Sequence, residues 1–158
     1  MLGIRVPQEP LVPGNDAPID YVAHTLFDDS DCTVWACRGG GKTLFGGVGA
    51  VLRCLRVPGY QLRILGGSLD QSRKMFQYIR NMLWPKFLPV LGKCDEQAAA
   101  ALTVRSIRFA NGSYIEILPH SEKAVRGMRV NKVLCDEIEM FDEDTWIAVQ
   151  LTVEGMRI

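Results

Sequence analysis

Apolar residues along this chain recur with two different periods, and the switching between them predicts alternating helices and strands. Tyr21, Val22 and Leu26 share one side of a short helix over 19–27, which Asp28-Asp29-Ser30-Asp31 ends. Thr33-Val34-Trp35-Ala36 is a brief apolar run and predicts a strand. A helix follows over 43–57, stopped by Pro58-Gly59. Its Gly46, Gly47 and Gly49 are poor helix formers, which predicts close packing of this helix against the sheet. Leu62 and Ile64 alternate with polar neighbours in a strand over 61–66, and Ser68 is placed to cap a helix over 69–83. Met75, Ile79, Met82 and Leu83 recur along it at helical spacing and read as core, and Pro85 and Pro89 close it. The runs 103–109 and 114–118 flank Asn111-Gly112, the strongest short hairpin signal. A strand over 131–135 ends in Asp136-Glu137. A last helix begins near Phe141, with Asp142 as cap and Trp146 and Val149 on its inner face.

Three stretches lack either period. Residues 1–18 carry Pro7, Pro10, Pro13 and Pro18 and predict an extended arm. Residues 119–128 read as a polar loop, and Ala98 to Ala101 as a low-complexity patch without a clear role. Strands alternating with helices, plus one hairpin, indicate an α/β domain over 19–158 with a mainly parallel sheet. In such sheets ligands sit at the carboxyl ends of strands.

Composition narrows this only a little. At 158 residues, with 47% apolar and 23% charged side chains, the chain fits one globular domain with a real core. Zero formal net charge gives no bulk attraction to nucleic acid or anionic membrane. Arg53, Arg56, Arg63, Arg73, Lys74, Arg80, Lys123, Arg126, Arg129 and Lys132 read individually as solvated surface. The five cysteines (Cys32, Cys37, Cys54, Cys94 and Cys135) include no C-x-x-C pair, and His24 and His120 lie in no ligand-like cluster. This indicates neither a disulfide framework nor a zinc site, and suits reduced thiols in a cytosolic protein. No apolar window approaches a membrane span, and the Pro-rich N-terminus does not resemble a signal peptide.

The chemistry lies in two motifs. Ala36-Cys37-Arg38-Gly39-Gly40-Gly41-Lys42-Thr43, between a predicted strand and a predicted helix, has the order of a phosphate-binding P-loop. Glycines let the backbone curl so that several N–H groups face one anion, and the helix N-terminus adds unpaired N–H groups. Lys42 would reach the β- and γ-phosphates of ATP, and the Thr43 hydroxyl would ligate Mg²⁺. Ala36 replaces the usual first glycine, which a small residue at negative φ permits. The second motif is Val133-Leu134-Cys135-Asp136-Glu137, an apolar strand ending in two carboxylates, which reads as a Walker B motif. Asp136 would join the Mg²⁺ shell, and Glu137 would polarise the attacking water. The catalytic set is therefore Glu137, Lys42 and Arg38, with Arg126 a further candidate cation for the γ-phosphoryl group.

In this arrangement the chain resembles the ATPase domain of the large terminase subunit of tailed bacteriophages. The resemblance rests on Cys37-Arg38-Gly39-Gly40-Gly41-Lys42-Thr43, on Leu65-Gly66-Gly67-Ser68-Leu69-Asp70-Gln71-Ser72, on Asn111-Gly112-Ser113 through Arg126-Gly127, and on Val133 to Glu137. It implies an ASCE-type P-loop NTPase fold, a three-layer sandwich. It implies ATP hydrolysis coupled to translocation of double-stranded DNA, with Arg38 on phosphate and residues 21–27 near the adenine. The implied partners are double-stranded DNA, the terminase small subunit and the portal of the procapsid. A homo-oligomeric ring and the host cytoplasm are implied as well. A coupling segment after Walker B and a nuclease domain are not recognisable before Ile158, so the chain reads as an N-terminal portion with its sheet incomplete at the C-terminal end. Two other readings stand beside it: a helicase-like DNA-dependent ATPase, and a nucleotide-binding assembly module without turnover.

Overall fold

The computed structural model describes residues 4–28, 30–83, 85, 105–119 and 130–152. Helix α1 (Pro18–Phe27) leads to α2 (Lys42–Arg56), strand β1 (Gln61–Gly66) and α3 (Leu69–Gln77), which runs on into a π-helical segment, Tyr78–Leu83. Strands β2 (Ser106–Arg108), β3 (Tyr114–Ile117) and β4 (Lys132–Asp136) follow, then a 3₁₀ turn, Ile138–Met140, and helix α4 (Glu143–Thr152). The strands form one mixed sheet in the order β2-β3-β1-β4. β1 runs parallel to both β3 and β4, and β2 and β3 form the antiparallel hairpin. The architecture is α/β.

Strand alternation sorts the side chains onto two faces. Leu62, Ile64, Ile107, Ile115, Ile117 and Leu134 point one way, into a core shared with Val48, Val51 and Cys54 of α2 and with Met75, Phe76 and Ile79. Leu65, one residue out of phase, joins Leu118, Ala148 and Val149, with Val133, Cys135 and Phe141 packed alongside. α4 thus covers the opposite face at the β1–β4 end. Residues 4–17 form no helix or strand, yet Ile4 and Val6 pack on the larger core.

Local chemistry accounts for the element ends. Ser68 Oγ accepts from the Gln71 N–H at 3.3 Å and caps α3. Asp142 Oδ1 accepts from the Thr145 N–H at 2.7 Å at the start of α4. The hairpin closes through Gly112 N–H to Phe109 O at 3.0 Å, with Gly112 left-handed at φ 84°. That is a three-residue loop in which glycine supplies the positive φ, rather than a two-residue Asn-Gly turn. Asn111 then donates from Nδ2 to Cys54 O at 2.8 Å, so the hairpin tip satisfies a carbonyl in the last turn of α2.

Several expectations change. Residues 31–37 join no strand, and among the described residues β4 has β1 as its only neighbour in the sheet. A strand is stabilised by a paired neighbour and a buried face, and Thr33-Val34-Trp35-Ala36 has neither: Trp35 is 91% exposed. Gly46 and Gly49 of α2 serve helix–helix contact instead of the sheet. A Cβ at Gly46 would stand 2.6 Å from Tyr21 Oη, and one at Gly49 would stand 2.7 Å from Thr25 Cβ, both on α1. Arg53 is buried, donating to Leu26 O at 2.7 Å and lying 5.0 Å above the Tyr60 ring. Trp146 is 40% exposed, and Thr145, Ala148, Val149 and Thr152 form the inner side of α4. The hairpin is shorter than its apolar runs. The Ala98–Ala101 patch, Lys123, Arg126, Arg129, Cys94 and His120 lie outside the described residues.

Candidate functional site

Three chain segments converge at the carboxyl ends of β1 and β4. The first is the glycine turn before α2. Gly39 and Gly41 have φ of 80° and 82°, and the Gly40 N–H donates to Cys37 O at 3.1 Å. Gly41 is the N-cap of α2, and a Cβ there would lie 2.6 Å from Phe45 Cε2, so both conformation and space require glycine. Among the described residues Glu137 is the only non-glycine with positive φ, so Ala36 makes its turn at negative φ. The first N–H groups of α2 lie beside this turn and lack helical partners, which suits an anion.

Lys42 and Thr43 are the first two residues of α2, so one helix start aims both. The Lys42 ammonium donates to Ala36 O at 2.5 Å, folded back across the loop it follows. Thr43 Oγ1 donates to Asp136 Oδ2 at 3.0 Å. That contact joins residues far apart in sequence and fixes the two motifs side by side. Asp136 is the last residue of β4, paired in register with Gly66 of β1. Cys37, Arg38 and Gly39 are exposed, while Gly40 to Thr43 are half-buried.

Glu137 leaves the strand in a left-handed conformation, φ 56° and ψ 51°. A bulky residue there carries strain of about 1–3 kcal/mol, which the surroundings must offset. The surroundings come from the β1–α3 turn. Gln71 Nε2 donates to Glu137 Oε2 and also lies 3.4 Å from Met140 Sδ. A Cβ on Gly67 would collide with Met140 Cβ at 2.6 Å and Gln71 Oε1 at 2.9 Å. Sequence reasoning names Gln71 only within the Leu65–Ser72 segment and gives it no role. Its local signal is its place in the first turn of a Ser-capped helix that follows the Gly66-Gly67 turn.

Tyr21 borders the same site from α1, with its hydroxyl against Gly46. Burial pushes its phenol up to about 12, with the Cys32 and Asp136 charges acting in the same direction. Burial likewise raises the Cys54 and Cys135 thiols to about 12, so neither is a ready nucleophile. Of the cysteines near the loop, Cys32 and Cys37 are exposed.

The donor set at Thr43 and Asp136, one hydroxyl and one carboxylate, is hard oxygen chemistry. Mg²⁺ suits such a pair because it keeps several waters and takes the rest of its shell from substrate phosphates. Among the described residues no group of three or more His, Cys, Asp or Glu could hold a metal by itself. A site completed by phosphate fits that composition. No described helix is long and apolar enough to cross a membrane. No protein-family model matches the chain, and no curated protein sequence matches it.

Proposed function

We propose that the chain binds Mg²⁺-ATP on the 36–43 turn and hydrolyses it. The observation that carries this reading is the 3.0 Å hydrogen bond from Thr43 to Asp136. A surface acidic pair and a glycine turn with no shared task have no reason to meet. Here they meet through the hydroxyl and carboxylate that would share a metal ion, beside an ammonium and a helix N-terminus.

In this reading Lys42 exchanges Ala36 O for the β- and γ-phosphate oxygens, and Cys37 to Thr43 hold the chain of phosphates through main-chain N–H groups. Thr43 and Asp136 would hold the Mg²⁺, which when bound neutralises charge on the phosphates. Glu137 accepts a proton from the water that attacks the γ-phosphorus, and the bridging oxygen departs with ADP. Arg38, exposed beside the loop, supplies a planar cation to the same charge. The ASCE fold, the terminase-type packaging motor and its partners (double-stranded DNA, small subunit and portal) belong to this proposal through the motif resemblance, as does an oligomeric ring.

Calorimetric titration with Mg²⁺-ATP tests the reading. The expected result is saturable binding that Lys42→Ala abolishes and Glu137→Gln preserves, while Glu137→Gln loses phosphate release. A folded wild-type chain that gives no binding heat overturns it. One observation favours a second reading: residues 31–37 join no strand, so the loop lacks the rigid support that turnover demands. A nucleotide-binding assembly module would bind with the same heat and release no phosphate.

A further inference from the structure

We propose that Gln71 is the positioning residue for Glu137, holding its carboxylate through a side-chain amide donated from the first turn of α3. This rests on the hydrolysis reading above and deepens it by naming what aims the proton acceptor.

The argument starts from the backbone. Glu137 sits at φ 56° and ψ 51°, a conformation that L-residues with long side chains avoid. Its intrinsic preference does not keep it there, so contacts must. Two are seen. The 3₁₀ turn that follows closes on Glu137 through the Met140 N–H to Glu137 O bond at 3.0 Å. Gln71 Nε2 donates to Glu137 Oε2. The first fixes the main chain and the second fixes the carboxylate.

The orientation of the Gln71 amide is itself determined. Its Oε1 is buried with no hydrogen-bond partner among the described residues. Rotating the amide to relieve that oxygen would turn an acceptor toward a carboxylate, which repels it. The orphaned oxygen is therefore the cost of presenting the N–H group to Glu137. Gly67 makes the arrangement possible, because any Cβ there would occupy the space of both Gln71 Oε1 and Met140 Cβ. The adjoining Ser72 ties the turn down by accepting from the Gly66 N–H at 2.7 Å. Asp136 is meanwhile held by Thr43 from the other flank. Two neighbouring carboxylates are thus gripped by different elements, one by the start of α2 and the other by the start of α3. That division lets one serve the metal while the other faces the water.

The test uses Gln71→Leu, which removes the donor, and Gln71→Glu, which keeps the length and replaces the donor by an acceptor. In both, the dissociation constant for Mg²⁺-ATP should stay within about twofold of wild type while kcat falls by up to roughly 100-fold, the scale of a small misplacement of a reacting group. A ligand-free arm follows thermal unfolding of Gln71→Leu, Glu137→Ala and the double variant, whose losses should be less than additive if the two side chains touch. Wild-type kcat in both Gln71 variants overturns the proposal, as does a fall in kcat matched by an equal loss of nucleotide affinity. Absence of nucleotide binding by the wild-type chain overturns the hydrolysis reading as well. Binding and turnover indifferent to Gln71 overturn this inference alone.

Discussion

The two sides of the glycine turn differ in what holds them. On one side, α2 is locked: Ala50, Val51 and Cys54 are fully buried against the sheet, Gly46 and Gly49 admit α1 to close contact, and Arg53 is held by Leu26 O. On the other, residues 31–37 form no ladder and only Val34 among them is even half-buried. The functional side chains divide along this line. Lys42 and Thr43 belong to the locked helix, and Cys37 and Arg38 to the exposed approach. On the proposed reading, Lys42 and Thr43 would act from packed structure, and Cys37 and Arg38 from a segment that has no strand partner among the described residues.

The comparison breaks most sharply at Lys42. Replacing it with alanine should cost about 100-fold or more in turnover, the scale seen when one charge-stabilising donor is lost, and should leave the melting temperature unchanged because the ammonium contacts only a loop carbonyl. A steady-state phosphate-release assay beside a thermal melt checks both halves. If the melt also falls, the Lys42 side chain supports the packing of its helix as well as the loop, and its separation from the stability of the fold is wrong.

Glycine-to-alanine exchanges sharpen it next. Gly49→Ala forces a methyl into Thr25 of α1 and should destabilise the fold by about 1–3 kcal/mol, as overpacking does. Gly39→Ala has open space around it but φ of 80°, so it should cost about 1–2 kcal/mol of stability from backbone strain and also weaken nucleotide binding. Urea unfolding beside nucleotide titration separates the two, and equal losses of nucleotide affinity would remove the distinction.

Thiol chemistry reports on the same divide. Peptide mapping after brief alkylation should find Cys32 and Cys37 modified and Cys54 untouched, since Cys54 is buried and its thiol is raised to about 12. Saturating Mg²⁺-ATP should then protect Cys37 and leave Cys32 reactive. Labelling of Cys37 that ignores nucleotide would place the phosphates elsewhere.

The smallest effect concerns pH. Tyr21, Cys54 and Cys135 all have folded values near 12, above ordinary values of 10.0 for the phenol and 9.0 for the thiols. A folded value above the unfolded one means that the folded chain keeps the proton longer. The contribution is therefore complete below pH 9 and is lost as pH rises toward 12. Cys54→Ala should flatten part of that alkaline decline in chemical-denaturation series, although it leaves a small cavity of its own. An alkaline limb identical to wild type would mean that Cys54 does not carry it.

Much of this was legible in residue order. Alternation marked β1, the Asn111-Gly112 signal marked β3, an apolar run marked β4 and Pro58-Gly59 marked the end of α2, and Ser68 and Asp142 announced their helices because a short polar side chain ahead of an apolar run favours a cap. The lysine, the threonine and the acidic pair stood out because phosphate and magnesium chemistry restrict residue type and spacing, and the structure brings Thr43 to Asp136. The strand over 33–36 was misread because an apolar run states a preference and cannot state whether a neighbour is present to pair with it. Trp146 was misread because helical spacing leaves the choice of buried stripe to whatever the helix meets.

The chain's own order thus determined the glycine turn, the helix caps and the ends of most helices, since those follow from local sterics and charge. Only the tertiary structure decided that Thr43 meets Asp136 and that Gln71 meets Glu137. Both contacts depend on how β4 lies against β1 and on how closely α1, α2 and α3 approach, which are properties of packing between distant segments that no local pattern encodes.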